Sequence, residues 1–301
     1  MNSLDTFWEA WDYFAPGVEA AVIVGATLGL LGVYIVLRRM VFLSAAIGQT
    51  ASLGVVLSLF FGALGVSMPP PTVMAMVLAL AGTLAVSRAT RSMVLRDGLL
   101  GAMFLVGAAG TILLGSRLTQ EMHEIEALLH GVGVAVLPED LEVVAWVGAV
   151  VGLVHLSGWR AFAAVAFDPI GAAVRGVPVR VAELALAATI AVAISAGIRA
   201  LGVMPVFALS ALPSLAAIRL VSTMPRALVL GPILGAAAGF FGFLASHVFD
   251  VDVGASQTAI AVLIVGLAEI VRAVFGLGRR ASDVSIAPAT EDGAGADQVV
   301  R

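Results

Sequence analysis

The sequence of 301 residues contains no cysteine and no lysine. Without cysteine, the chain cannot form a disulfide, offer a thiolate to a metal or use a cysteine nucleophile. Without lysine, it lacks the residue that a P-loop directs at nucleotide phosphates and the amine that forms a Schiff base. All 16 basic residues are therefore arginines. The chain therefore cannot carry a P-loop nucleotide site.

Charged residues are also scarce. They make up 12% of the chain, against about 25% in soluble domains. Hydrophobic residues make up 60%, and the mean hydropathy is +1.07. A globule of this composition could not cover its surface with polar groups, so lipid must solvate most of it. No basic patch is interleaved with aromatic residues, so the composition predicts an integral membrane protein that binds no nucleic acid.

Nine apolar stretches approach or exceed the roughly 20 residues that cross a hydrocarbon core. Backbone groups inside lipid must be satisfied within the segment, and no polar–apolar alternation indicates a barrel, so each stretch is predicted to be a helix. The predicted fold class is all-α: a polytopic bundle of about nine transmembrane helices. The predicted spans are 18–37, 41–63, 72–87, 98–115, 141–157, 181–199, 203–220, 227–249 and 256–275.

Arginine is distributed unevenly between these spans. If successive spans alternate in direction, thirteen arginines fall on one side and only Arg117 and Arg199 on the other, with Arg301 ending the chain. The side richer in arginine is predicted to be cytoplasmic. This predicts a multi-pass protein of the cytoplasmic (inner) membrane, with its N-terminus outside and its C-terminus in the cytoplasm.

The two termini differ from the spans. Leu4, Phe7, Trp8 and Trp11 fall at helical spacing, so residues 1–17 are predicted to form an amphipathic helix in the membrane interface. The alternative is a frayed tail. Residues 279–301 lose all apolar periodicity and are predicted to be a disordered cytoplasmic tail. The membrane domain is predicted over residues 18–278.

The second span is unusually polar. It carries Ser44, Gln49 and Thr50 among glycines and other small residues. Polar atoms at membrane depth need partner helices or a water-filled path. The span is therefore predicted to face the inside of the bundle.

The stretch "LGVMPVFALSALPS" is predicted to be broken. Pro205 and Pro213 lie eight residues apart on either side of Ser210, and each is predicted to interrupt the helical hydrogen bonds. Broken helices near the midplane are typical of a transport path, so this stretch is predicted to line a central path with the second span. The alternative for either span is a kink at a packed helix contact.

The segment 166–180 is predicted to hold a short amphipathic helix on the cytoplasmic side. Asp168 can cap it, and Pro169 suits its first turn. Gly176 can end it, and Pro178 prevents its continuation. Such a helix could dock into a groove of a partner protein. The alternative is an ordinary connection between spans.

Taken together, these segments resemble the permease subunit of metal-cation ABC importers, the family that takes up zinc, manganese and sometimes iron. "LGVYIVLRRMVFLSAAIGQTASLGV" resembles its first motif, "AFDPIGAAVRGVPV" its cytoplasmic Phe-Asp-Pro…Gly-x-Pro motif, and "LGVMPVFALSALPSLAAIRL" its Ala-Leu-x-x-Pro segment. "ALLHGVGVAVLPEDL" and "FDVDVGASQTAIAVL" resemble weaker landmarks. The similarity covers most of residues 18–275.

This resemblance implies a transport subunit rather than an enzyme. Two permease copies would surround a path for zinc or manganese, two separate ATPase chains would dock below, and an extracytoplasmic metal-binding protein would deliver the cation. The metal is then substrate, and no cofactor is expected on this chain. The resemblance assigns ATPase coupling to Asp168, Pro169, Arg175, Gly176 and Pro178, and the path to Ser44, Gln49, Thr50, Pro205, Ser210 and Pro213.

The sequence departs from that family at the positions most relevant to metal. The family's second span usually carries Asp and His where this chain has Ala45 and Gln49, and a proline where it has Leu53. Carboxylate and imidazole are natural ligands of Zn²⁺ and Mn²⁺, whereas an amide oxygen is a poor ligand of zinc. The path therefore either makes weaker contacts with its metal or carries a different solute.

Other ionisable residues suggest further sites. His123 lies beside Glu124 and Glu126 in a predicted outer loop, where they could form a transient cation site; the alternative is a solvated charged loop. His155, near the inner end of the fifth span, is predicted to be a packed or an interfacial histidine. Two acids at the inner membrane edge are predicted to form local pairs: Glu183 with Arg180 and Glu269 with Arg272.

Two other function classes fit less well. An ion-coupled secondary carrier needs membrane-embedded carboxylates, and the centres of these spans contain neither Asp nor Glu. An intramembrane metallohydrolase needs a motif such as His-Glu-x-x-His, which the sequence lacks. An ABC permease for a non-metal or otherwise atypical solute remains the main alternative.

Overall fold

The computed structural model describes residues 7–89, 93–118 and 136–275, which fold almost entirely into helices. Nine of the helices in these ranges are long and apolar enough to cross a membrane, and each overlaps one predicted span. The tenth, α6, is short. The helices are α1 (Trp11–Leu37), α2 (Val41–Ala63), α3 (Pro71–Ala89), α4 (Met93–Gly115), α5 (Pro138–Phe167), α6 (Pro169–Val174), α7 (Val179–Leu201), α8 (Val203–Leu220), α9 (Met224–Phe249) and α10 (Val253–Phe275).

Helices α1 and α5 extend furthest beyond the spans that the sequence predicted. Helix α1 begins at Trp11 rather than at residue 18 and continues through Pro16. Helix α5 extends from Pro138 to Phe167 rather than over 141–157. Pro138 suits the first turn because its missing N–H needs no helical acceptor there, and the two acids after it favour the positive end of the helix dipole.

The first described residues, from Phe7 onwards, pack on the end of α9. The Phe7 ring is fully buried and stacks on the Phe14 ring, with their centroids 5.6 Å apart. Both rings also contact His247 in the last turn of α9. Trp8 stays exposed. The predicted interfacial helix over 1–17 therefore has no break at residue 17, and its place in the membrane interface stays a prediction.

Helices α1 and α9 are in backbone contact along three successive turns. Gly25 faces Gly235 and Gly29 faces Gly231, while Gly239 lies against the carbonyl of Ala21. A Cβ added at any of these glycines would lie 2.0–2.4 Å from a carbonyl oxygen of the other helix. The register also shows that α1 and α9 are antiparallel. Helix association in lipid depends on this kind of close approach, because it gains little from hydrophobic burial.

Ion pairs identify which helix ends lie together. Arg38 at the end of α1 contacts Glu183 at the start of α7, and Arg219 of α8 contacts Glu269 of α10. Because α6 immediately precedes α7, it lies at this end too, which we call the arginine end. At the opposite end, Arg199 of α7 contacts Asp140 of α5, and Thr72 of α3 donates a hydrogen bond to the same carboxylate.

The predicted local pairing of the inner acids is partly wrong. Glu183 pairs with Arg38, 145 residues away, instead of with Arg180. Glu269 pairs with Arg272 as predicted, at 3.5 Å, but lies closer to Arg219, at 2.7 Å. Both acids therefore join separate helices, which a search for local partners in the sequence cannot reveal.

We predict that Gly29→Ala destabilises the folded chain. The added Cβ would lie 2.3 Å from the carbonyl oxygen of Gly231, and neither backbone can yield without separating α1 from α9. The expected loss is about 1–3 kcal/mol, the usual cost of overpacking. It can be measured from the unfolding midpoint of the purified protein in detergent.

The matched control is Gly266→Ala on α10. A Cβ there has no neighbour within 4 Å, so the same substitution adds only helix propensity. Equal midpoints for the two variants would contradict the prediction.

Candidate functional site

The serines of α2 and α8 meet inside the bundle. Ser210 Oγ lies 3.2 Å from Ser44 Oγ, and both side chains are buried. Ser44 donates to the carbonyl of Val41, and Ser210 Oγ also lies 2.7 Å from the carbonyl oxygen of Phe207. The single proton of Ser210 can serve only one of its two acceptors at a time. The structure thus brings together two predicted path residues that are 166 positions apart.

The other polar residues of α2 lie further along the helix. Thr50 is buried and donates to the carbonyl of Ala46, whereas Gln49 is only half-buried. Gly107 of α4 lies against the backbone of Gln49, where a Cβ would come within 2.6 Å of its carbonyl carbon. Helix α2 is therefore fixed by α4 at the level of Gln49, and the Gln49 residue as a whole is partly exposed.

The break in the predicted proline-rich path segment is at Gly202, not at the prolines. Gly202 has φ of +91° and separates α7 from α8. Pro205 is buried in the first turn of α8, where its missing N–H has no helical acceptor to lose. Helix α8 continues through Pro213 to Leu220. The prediction is therefore wrong for Pro205; Pro213, which has no N–H, removes one hydrogen bond from α8, but the helix continues through it.

Helix α8 is held tightly against α1. Ser214 donates a hydrogen bond of 2.8 Å to the carbonyl of Gly29. A Cβ on Gly32 would lie 2.2 Å from Ser214 Oγ and 2.3 Å from the carbonyl oxygen of Ser210. We did not predict this contact from the sequence, although Gly29 and Gly32 lie on one helix face at a spacing that allows it.

The segment 167–178 forms the predicted short helix, and we call it the α6 knob. Asp168 caps α6 by accepting a hydrogen bond of 2.9 Å from the Gly171 N–H, and Pro169 follows in the first turn. Gly176, with φ of +79°, ends it in the left-handed region. Arg175 Nε donates to the carbonyl of Gly171. Pro178 precedes the first residue of α7.

The α6 knob combines one buried contact with an exposed apolar surface. Ala172 is fully buried against the bundle, which anchors the helix. Ile170 and Val174 are 80% and 85% exposed, and Phe167 just before the helix is 66% exposed. The knob lies at the arginine end, beyond the last residue of α5, and no described residue covers these side chains. An exposed apolar group of this kind is typical of a protein interaction site.

His155 is packed inside the bundle, which is one of its two predicted environments. Its ring stacks on Phe162 with centroids 4.5 Å apart and lies beside Tyr34. Its Nε2 lies 3.0 Å from Thr189 Oγ1, which joins α5 to α7. The side chain is 1% exposed and belongs to the core.

Metal-ligand clusters are not found among the described residues. No group of three or more His, Cys, Asp or Glu side chains that could hold a metal ion occurs within 7–89, 93–118 and 136–275. The predicted outer cation site of His123, Glu124 and Glu126 lies outside these ranges. The tail from residue 279 lies outside them too.

Comparison with known proteins finds a matching family and similar membrane proteins. The sequence matches the ABC 3 transport family over residues 10–272. It is 26% identical over 272 residues to the manganese transport system membrane protein MntC of Halalkalibacterium halodurans, an alignment that covers 89% of this chain and 91% of the relative. It is 26% identical over 283 residues to the chelated iron transport system membrane protein YfeD of Yersinia pestis, covering 94% and 92%.

A solved structure has the same fold. A chain in the structure of PsaBC from Streptococcus pneumoniae in complex with Fab superposes with a TM-score of 0.77. The identity is 22%, and the superposition covers 88% of this chain and 95% of that chain. At this identity the likeness concerns the fold alone.

Proposed function

The chain belongs to the ABC 3 transport family, and on that premise we propose that it is the permease subunit of an ABC importer. It spans the inner membrane and moves a divalent metal cation into the cytoplasm. A separate ATPase subunit supplies the energy, and this chain provides the path and the docking surface. The observation that carries the proposal is the α6 knob, a rigidly capped helix that exposes Ile170 and Val174 at the arginine end.

The exposed knob supports docking by an ATPase. A six-residue helix has no stability of its own, yet Asp168 caps one end and Gly176 closes the other. The two ends therefore hold Ile170 and Val174 in a fixed position before a partner binds. A preformed apolar ridge of this kind suits docking into a groove. The arginine-rich side of a membrane protein is usually cytoplasmic, where an ATPase has access to ATP. We assign coupling to Asp168, Pro169, Arg175, Gly176 and Pro178.

The relatives support a metal as cargo. Their names refer to manganese and to chelated iron, so we propose a divalent cation, with manganese the first to test and zinc the second. The proposed path is lined by α2 and α8, and its polar groups are hydroxyls and one amide. These are weaker metal ligands than carboxylate or imidazole. The path residues we assign are Ser44, Gln49, Thr50, Pro205, Ser210 and Pro213.

The proposed assembly has three further partners. A second copy of this chain completes the path, and an extracytoplasmic metal-binding protein delivers the cation at the end opposite the knob. Membrane lipid surrounds the whole. In this orientation the N-terminus is outside and the C-terminus is in the cytoplasm. An outer cation site of His123, Glu124 and Glu126 would lie on the delivery side.

We predict that Ile170→Glu weakens binding of the ATPase. The new carboxylate would be buried in an apolar groove without a partner, which costs about 2 kcal/mol at an interface hot spot, or roughly thirtyfold in affinity. The dissociation constant of purified permease and ATPase checks this in detergent.

The control is Ile170→Leu, which keeps the apolar contact and should bind as the parent does. Because Ile170 is 80% exposed, neither change should alter the unfolding midpoint. An unchanged affinity for Ile170→Glu would contradict the docking role of the knob.

We predict that Gln49→Leu lowers ATP-driven uptake of Mn²⁺ by about tenfold, a change of about 1.4 kcal/mol in the barrier. The substitution removes a polar group from the path and replaces it with an apolar one of similar size. Uptake by reconstituted vesicles, divided by the amount of assembled complex, is the measurement.

Gln257→Leu is the matched control. Gln257 is fully buried on α10, and its amide atoms have no hydrogen-bond partner among the described residues, so replacing it leaves no partner orphaned. Equal uptake by Gln49→Leu and the parent would remove Gln49 from the path.

Uptake by vesicles that contain the permease but no ATPase would favour an ion-coupled carrier over an ABC permease.

A further inference from the structure

Arg38 and Glu183 form an ion pair between two helices that serve different parts of the proposed function. Arg38 Nη2 lies 2.5 Å from Glu183 Oε1, a short charge-assisted hydrogen bond. Arg38 ends α1 immediately before the path helix α2. Glu183 lies in the second turn of α7, the helix that follows the α6 knob. The Arg38 side chain is only 15% exposed, so water competes little for it.

A rigid turn connects the knob to Glu183. The N–H of Val177 donates to the carbonyl of Ala172, and the N–H of Gly176 donates to the carbonyl of Ala173. This pair of bonds is a Schellman motif with Gly176 in the left-handed position. The N–H of Ala182 then donates to the carbonyl of Pro178, so α7 begins directly after this turn.

A second turn of the same kind connects Arg38 to the path helix. The N–H of Met40 donates to the carbonyl of Ile35, and the N–H of Arg39 donates to the carbonyl of Val36. This is again a Schellman motif, but its left-handed residue is Arg39, with φ of 55°. A non-glycine residue in this conformation is held there by its surroundings. Helix α2 begins at Val41, three residues after Arg38.

These contacts form one continuous connection. It runs from the knob through the first turn to Glu183, across the ion pair to Arg38, and through the second turn into α2. Residues beside both turns, among them Met40 and Val177, pack on the same hydrophobic core. The ion pair is the only step of this connection that depends on two side chains instead of backbone hydrogen bonds.

We propose that Arg38 and Glu183 are positioning residues whose ion pair transmits movement of the α6 knob to path helix α2. The proposal rests on the proposed function, since it needs an ATPase that moves the knob. It adds to that function a specific route by which ATPase docking at the knob changes the position of Ser44 and Gln49 on α2. It also explains why the first of two adjacent arginines is largely buried while the second, Arg39, is exposed.

The proposal does not require the ion pair to stabilise the folded protein. Half-exposed ion pairs contribute little to stability, and Glu183 is 42% exposed. Removing the pair should therefore leave the protein folded while it loosens the coordination between α7 and α2. The pair of Arg219 with Glu269 tests this distinction, because it lies at the same end but joins α8 to α10.

The first experiment measures transport and hydrolysis together. Complexes of permease, ATPase and metal-binding protein in vesicles give the amount of Mn²⁺ taken up per ATP hydrolysed. For Glu183→Gln we expect this ratio to fall by at least about fivefold, the lower limit of typical coupling between sites, with unchanged affinity for the ATPase. The exchange Arg38→Glu with Glu183→Arg should restore the ratio to within about twofold of the parent.

One control accompanies it. Glu269→Gln removes the carboxylate that pairs with Arg219 and Arg272 at the arginine end, outside the proposed connection, and should keep the parent ratio. An unchanged ratio in Glu183→Gln, or an exchanged pair that does no better than either single change, would overturn the proposal.

The second experiment needs neither substrate nor ATPase. Cysteines introduced at the exposed positions Phe42 on α2 and Val181 on α7 can carry spin labels, since the chain has no native cysteine. We expect one narrow distance distribution in the parent and a broad one in Glu183→Gln. Equal widths would overturn the proposal. If the parent hydrolyses ATP without Mn²⁺ uptake, the proposed function fails for that cargo, and the label distances still decide the role of the pair.

Discussion

The structure depends on how closely α1 can approach its neighbours. Lipid offers α1 no gain for burying more apolar surface, so its association relies on van der Waals contact and hydrogen bonds between backbones. Its glycines provide this on two sides: Gly25 and Gly29 meet the glycines of α9, and Gly32 meets α8. Ser214 adds a hydrogen bond to the carbonyl of Gly29. The result is a central helix that holds the second half of the chain in place.

Around this helix, hydroxyl groups lie inside the bundle and charged groups lie at the helix ends. Hydroxyls within the bundle bond to nearby carbonyls or to each other, as Ser44 and Ser210 do. Charges lie at the helix ends and join helices distant in sequence, as Arg199 and Asp140 do at the end opposite the knob. Charged groups are rare at the centre of a membrane protein, because burying them in lipid is costly. In this chain, the proposed path therefore presents hydroxyls and one amide, and the ion pairs of the described residues lie at the helix ends.

The sequence was most informative where a local rule governs. Nine spans were predictable because long apolar runs have no alternative in lipid, and the end of α6 was predictable because Gly176 followed by Pro178 leaves the chain few conformations. The rule failed for Pro205, since a proline in a first turn breaks nothing. The partner of Glu183 and the contact between Gly32 and α8 were not predictable, because both arise only when distant helices pack. For the same reason, the sequence placed Ser44 and Ser210 in one path without showing that they touch.

The length of α5 sets how far the α6 knob stands from the bilayer. Thirty residues make a helix of about 45 Å, whereas the hydrocarbon core measures about 30 Å. Trp159, with the guanidinium of Arg160 5.5 Å from its ring centroid, has the chemistry of a headgroup-level anchor. From Arg160 the helix continues to Phe167, a further distance of about 10 Å. With Trp159 anchored at headgroup level, the knob would stand about 10 Å beyond that level, so a change in bilayer thickness would be accommodated at the opposite end of α5.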